Sequence, residues 1–319
     1  MGGGGLMAML SRVAERLYWL ARYVERAENT ARLVGVNAQL LLDMPEGVDA
    51  LWASLVEILG AHDDFFAQHE KATERSVLRY ALTEETTQVS VASALRMARE
   101  NARTVREILP SEAWELINQL QLEVQETGEQ ALARRGRQAF LDRVVQQCQQ
   151  FSGMIMTTMS RREPFHFVNL GWSVERADMT SRILDVGCTY AVGGRGNRAL
   201  LDHEGVLWMN VLLSLSAYQM YRQQVRGRVE GRSVVGFLLQ DTAFPHAIAC
   251  CLDTLEATLG ALPRNGAPLR LNRALVKLVA GADPSALVAS GLHEFLDQLQ
   301  GELGRLHALI QSTWFRLAV

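Results

Sequence analysis

The sequence predicts an all-α protein, a helical bundle made of two duplicated halves packed with pseudo-twofold symmetry, and three observations carry that expectation. Leu, Ala, Arg, Glu and Gln dominate the long segments, while proline is held to 7 of 319 residues; that mixture favours helices over strands. No stretch alternates apolar and polar residues with period two between turn residues. A ten-residue signature also recurs at an offset of 150 residues, the mark of an internal repeat.

In chain order, the first helix is expected to begin near Ser11 or slightly before and to stop at Met44-Pro45-Glu46-Gly47. Further helices are expected over 49–68, 84–108, 111–127 and 134–160, with Pro110 and Ser111-Glu112 marking one clean break. Arg161-Arg162-Glu163-Pro164 opens the second half with a helix to about Tyr190. Gly193-Gly194-Arg195-Gly196-Asn197 reads as a loop, followed by helices near 201–224, 244–260, 268–280 and 285–316. The boundaries are then a flexible segment over 1–8, a first repeat over 9–160 and a second over 161–319, the two repeats forming one compact unit. The Gly2-Gly3-Gly4-Gly5 opening reads as a start-site remnant.

The repeat aligns Val24-Glu25-Arg26-Ala27-Glu28-Asn29-Thr30-Ala31-Arg32-Leu33 with Val174-Glu175-Arg176-Ala177-Asp178-Met179-Thr180-Ser181-Arg182-Ile183, six of ten positions being identical. Leu51-Trp52 with Phe65 matches Leu207-Trp208 with Tyr221 at an offset of 156, and Tyr80-Ala81-Leu82 with Glu84 matches Phe237-Leu238-Leu239 with Asp241 at 157. Three matches in one order, at slowly growing offsets, point to duplication, and the two signature helices are expected to pack against each other.

Advancing 100° per residue from Leu17, an apolar stripe forms from Leu17, Leu20, Ala21, Val24, Ala27, Ala31 and Val34. Glu28 falls inside it, with Glu25 and Arg32 within about 60°. The second helix repeats this with Asp178 in the stripe and Glu175 and Arg182 beside it. A carboxylate in an apolar stripe needs partners, and Arg32 and Arg182 follow Glu28 and Asp178 by four residues, good pairing geometry on a helix. Arg26 and Arg176 are expected to point away. Trp19, Tyr23 and Leu33 make that far side apolar too, so the helix is expected to be buried on both faces.

Three readings of these ridges stand open. They form a buried polar network cross-pairing Glu25 and Glu175 with guanidinium groups and fixing the register of the halves. Or they form a substrate pocket, with Arg22, Arg26, Arg32, Arg176 and Arg182 holding a carboxylate or phosphate while Glu25, Glu28, Glu175 or Asp178 serves as acid or base. Or the four carboxylates hold a divalent ion, against which stand the lack of a Glu-x-x-His spacing and the nearby arginines. His166, close in sequence to the second ridge, joins the substrate-binding candidates; His246, after Pro245 at a helix start, reads as capping or packing. No cofactor is assigned.

Other classes are set aside. The net charge is −3, no general basis for nucleic-acid binding. Lysine occurs only at Lys71 and Lys277, leaving nearly all cationic work to arginine, whose fixed fork suits carboxylates. Cys148, Cys188, Cys250 and Cys251 include no CxxC pair, and reduced thiols fit a cytoplasmic setting. No apolar run reaches the roughly 18 residues of a membrane span. GxSxG, Walker and Rossmann patterns are absent.

The run Leu17-Tyr18-Trp19-Leu20-Ala21-Arg22-Tyr23-Val24-Glu25-Arg26-Ala27-Glu28-Asn29-Thr30-Ala31-Arg32, preceded by Met9-Leu10-Ser11-Arg12-Val13-Ala14-Glu15-Arg16, resembles the opening of the bacterial alpha-E family, all-helical proteins with an ER motif. Ala98-Arg99-Glu100-Asn101-Ala102-Arg103, Glu112-Ala113-Trp114-Glu115 and Phe237-Leu238-Leu239 before Phe244-Pro245 extend the resemblance over nearly the whole chain. Trp172 departs from it, since the second repeat usually carries an arginine matching Arg22. The resemblance implies company. Such proteins tend to be encoded beside, or fused to, circularly permuted ATP-grasp ligases, often with a transglutaminase-like protease nearby. It therefore implies an accessory component of an amide-ligase system, with a stand-alone transferase or hydrolase, or a purely structural helical scaffold, as the alternatives.

Overall fold

The computed structural model describes residues 3–43, 50–191 and 204–315. Every regular element among them is helical: α1 (Gly3–Asp43), α2 (Ala50–Ile58), α3 (His62–Phe66), α4 (Glu74–Leu82), α5 (Val91–Thr104), α6 (Ser111–Thr127), α7 (Arg134–Thr158), α8 (Glu163–Ala191), α9 (Glu204–Ser214), α10 (Tyr218–Gln224), α11 (Gly231–Gln240), α12 (Ile248–Gly260), α13 (Gly266–Ala280), α14 (Pro284–Ala289) and α15 (Leu292–Ile310). A 3-10 turn (Gly128–Leu132) leads into α7, and a π turn (Gln311–Phe315) closes α15. The expected stop at Met44–Gly47, the loop at 193–197 and His203 lie outside the described residues.

α6, α7 and α8 fall within two residues of their expected bounds, and α1 starts ahead of Ser11, at Gly3. The stretch Leu6-Met7-Ala8-Met9-Leu10 contains no breaker, so nothing in it ends a helix running back from Ser11. Three expected helices are each two. The 49–68 segment breaks at Gly60 (φ 66°), 201–224 at Ser216 (φ 52°) and 285–316 at Gly291 (φ 93°). Left-handed backbone ends a right-handed helix. α4 and α11 are additions. α4 is announced by a capping box in which Ser76, rather than Glu or Gln, answers Thr73, and α11 is a short apolar run that does not declare its period.

At the centre α1 and α8 run parallel and in register. Tyr18 and Ala21 meet Gly171, Arg22 and Arg26 meet Glu175, and Leu33 and Asn37 share a small cavity with Ile183 and Gly187. Both are sheathed, α1 by α5 and α7, α8 by α12 and α15. Leu17, Leu20, Val24, Ala27, Ala31 and Val34 are buried as the stripe requires, and so are Val174, Ala177 and Leu184. On the far side Leu33 is buried while Trp19 and Tyr23 are half-buried, as a helix apolar all round requires.

Candidate functional site: a buried arginine–carboxylate core

Gly171 sets the approach of the two helices. A Cβ there would come within 2.3 Å of the Tyr18 carbonyl oxygen and 2.9 Å of the Ala21 Cβ. One turn further, the Glu-Arg dipeptides reach across. Arg26 Nε donates to Glu175 Oε1 at 2.6 Å, and Arg176 Nε donates to Glu25 Oε1 at 2.9 Å. Arg22 Nε adds a second guanidinium on Glu175, donating to Oε2 at 2.5 Å. This corrects one expectation: Arg26 and Arg176 do not face away but cross the interface, because the neighbouring helix packs on the side the arginines occupy rather than along the centre of the apolar stripe. Another turn on, the pairs within each helix form as expected. Arg32 Nη2 donates to Glu28 Oε1 at 2.5 Å and Arg182 Nε to Asp178 Oδ2 at 3.1 Å. Gln149, from α7, also donates to Glu28 Oε1, at 3.0 Å.

The two crossing carboxylates are unequal. Burial would raise the Glu175 carboxyl, but Arg22 and Arg26 outweigh it and hold the group at about 2. Glu175 is therefore a fixed anion locked between two cations. Glu25 receives a single guanidinium, since Trp172 occupies the position 150 residues after Arg22. Its Oε2 is buried without a hydrogen-bond partner. Around it lie further buried polar atoms in the same condition: both amide atoms of Asn29, one turn along α1, the Nε of Arg32 and the Nδ1 of His246. Burial first of all, together with the cations of Arg176 and Arg32 and against the pull of Glu25, keeps His246 neutral at about 4. Burial, then repulsion from Glu25, raises the Glu28 carboxyl against the opposing pull of Arg32 and Gln149.

Sequence reasoning missed the partner of Arg22. Tyr18 O–H donates to His307 Nδ1 at 2.7 Å, and Arg22 Nη1 approaches the same atom at 3.3 Å. Two donors on Nδ1 leave the proton of the neutral ring on Nε2. Burial, with Arg22 next, holds His307 at about 4, and burial pushes Tyr18 up to about 12. The only sequence signal is that His307 flanks the Leu303, Leu306, Ile310 stripe of α15. His246, expected to cap or to pack, makes no side-chain cap on α12; its ring packs on Phe244, centroids 5.8 Å apart, and its carbonyl accepts from Thr180 Oγ1 at 2.8 Å.

The ridges are thus brought together, and His166 is not. It stands in the first turn of α8, nine residues before Glu175 and so about 13 Å away along the axis. Among the described residues no group of three or more His, Cys, Asp or Glu side chains is placed to hold a metal ion. Beyond Arg32, α1, α7 and α9 enclose a cleft of about 380 Å³ with Arg32 in its wall.

A family model described as a predicted alpha-helical domain with a conserved ER motif matches residues 9–315. Uncharacterized proteins of Mycobacterium bovis and Mycobacterium tuberculosis are 24% identical to the chain over 292 residues, a stretch that takes in 85% of this chain and 32% of theirs. The chain thus spans about a third of the length of the curated relatives it matches. No solved structure matches it.

Proposed function

The chain belongs to the Alpha-E family, and from that premise we propose that it is the accessory, non-nucleotide-binding component of a circularly permuted ATP-grasp amide-ligase system. In this reading it binds ligase or substrate at a duplicated helical core in the cytoplasm, with a transglutaminase-like protease as a further companion. The observation that carries it is the inequality of the two ends of the core. The Glu175 side is a closed clamp. The Glu25 side keeps buried polar atoms without partners and borders, through Arg32, a cleft large enough for a small ligand. The greater length of the mycobacterial relatives fits a chain that works with another segment.

Duplication has its own support. The reciprocal Glu-Arg pairs are echoed by Thr30 Oγ1 donating to the Val89 carbonyl and Thr180 Oγ1 to the His246 carbonyl, offsets of 150 and 157. A stand-alone transferase or hydrolase is the second reading, favoured by Glu28, a buried carboxyl pushed upward beside an arginine.

A pull-down of the neighbouring ATP-grasp ligase with wild type and Glu28→Ala, with a metal assay on both, tests the proposal. Retention of the ligase by wild type is the expected result, and a monodisperse protein indifferent to the ligase removes the accessory reading. Loss of metal or partner without unfolding in Glu28→Ala marks a working site, whereas general collapse favours a scaffold.

A further inference from the structure

The cleft between α1, α7 and α9 has the chemistry of a ligand site rather than of a packing defect. Its walls are aliphatic, from Val36, Leu40, Val145 and Leu213 among others, and Gly35 leaves part of the α1 wall without a side chain. Leu213 is 40% exposed, so apolar surface stands open to water there. Arg32 lines the same cleft. Among the described residues only Glu28 accepts from its guanidinium, through Nη2, out of five N–H donors. Its Nε–H is buried out of reach of the cleft, so the Nη groups are the donors that an occupant can meet. Gln39 and Asn210 add amide groups to the lining, the Asn210 Nδ2 reaching Asn37 only at 3.5 Å, while Gln138 Nε2 donates to Asp142, the one carboxylate in the wall, at 2.8 Å.

Fork, aliphatic wall and amides together describe one occupant. A guanidinium with spare donors matches a carboxylate, the apolar walls match branched aliphatic side chains, and side-chain amides match the donor and acceptor of a peptide bond. A plain fatty acid would leave those amides unmatched. We propose that the cleft binds the carboxyl-terminal end of a short aliphatic peptide, its carboxylate on Arg32 and its side chains against Val36 and Leu213. This deepens the proposed role by naming the substrate class, and it rests on the substrate-binding half of that reading.

Titration calorimetry on the full chain with N-acetyl-Leu-Leu, its carboxyl-terminal amide and octanoate tests it. The free acid binds at millimolar concentration or below, and the amide and octanoate bind about tenfold more weakly or not at all. Leu213→Glu, a change at an exposed wall that sets a charge against the peptide's aliphatic side chains, weakens the free acid by about tenfold while far-ultraviolet circular dichroism stays unchanged. Val36→Trp, which fills the cleft one turn beyond Arg32, has the same effect. Equal binding of acid and amide, octanoate binding as tightly as the peptide, no binding by the free acid, or indifference to both variants overturns the proposal. If the peptide binds but the ligase is not retained in the pull-down, the site stands and the accessory role falls.

Discussion

Glu175 and Glu25 occupy equivalent places in the signature, yet removing their charges has unequal consequences. Glu175→Gln strands the two guanidinium groups of Arg22 and Arg26, so it is expected to destabilise the fold by about 3–5 kcal/mol. Glu25→Gln strands Arg176 alone and is expected to cost less; urea midpoints of the two variants check the order. Titration follows from neighbouring groups. His246 and His307 sit at about 4 in the fold against 6.5 unfolded. The unfolded chain therefore binds the extra protons, and stability falls as pH drops from about 6.5 to about 4. Glu175, lowered from 4.5 to about 2, stabilises above the higher value, and that contribution is lost as pH falls toward the lower one. Glu28, raised, works in the opposite sense. Denaturation midpoints across this range are expected to fall on acidification, and less steeply in His246→Gln. Much of this centre is legible from periodicity alone: Glu28 in its stripe, and Arg32 and Arg182 four residues on. What a helical wheel lacks is the neighbour. Arg26 finds its partner 149 residues away and Tyr18 finds His307 at a separation of 289, and no local pattern encodes either.

Among the elements, the contact between α1 and α8 depends on one absent side chain. Gly171→Ala would drive a methyl group into the Tyr18 carbonyl and is expected to cost roughly 1–3 kcal/mol through displaced helices. Gly153→Ala, in α7 where nothing lies within 4 Å of the added carbon, is expected to stabilise by about 0.5–1 kcal/mol through helix propensity. Opposite shifts in thermal midpoint check the pair. Element existence was read well where polar and apolar residues alternate over many turns, as in α6 and α7, and also in α8, a long helix buried on nearly every side. It failed where the break is a single left-handed residue. Ser216 carries no compositional warning of its φ, and Gly60 and Gly291 look like tolerable helix glycines until the backbone is seen.

For the whole molecule, the crossing pairs make each half complete the other. Separated at the expected boundary, 9–160 would bury Glu25 without Arg176, and 161–319 would bury Glu175 without Arg22 and Arg26. Each half expressed alone is expected to lack a cooperative thermal transition, while co-expressed halves co-purify and regain one; circular dichroism and affinity capture check this. The likeness of the matched stretches was visible as residue identities at offsets growing from 150 to 157. The inequality between them was visible only as Trp172, and its meaning depended on knowing which oxygen that position leaves unmatched.

The parallel course of α1 and α8 has an electrical consequence. Two long helices aligned the same way present like partial charges at each pole, about half an elementary charge per terminus, so the central pair repels at its ends while its ion pairs draw it together at the waist. α7, whose Gln149 lies beside Glu28 and whose Leu141 lies beside Gly35, runs opposite to α1. α15, with His293 on Asp185 and His307 beside Arg22, runs opposite to α8. Each central helix thus has an antiparallel neighbour whose dipole opposes its own.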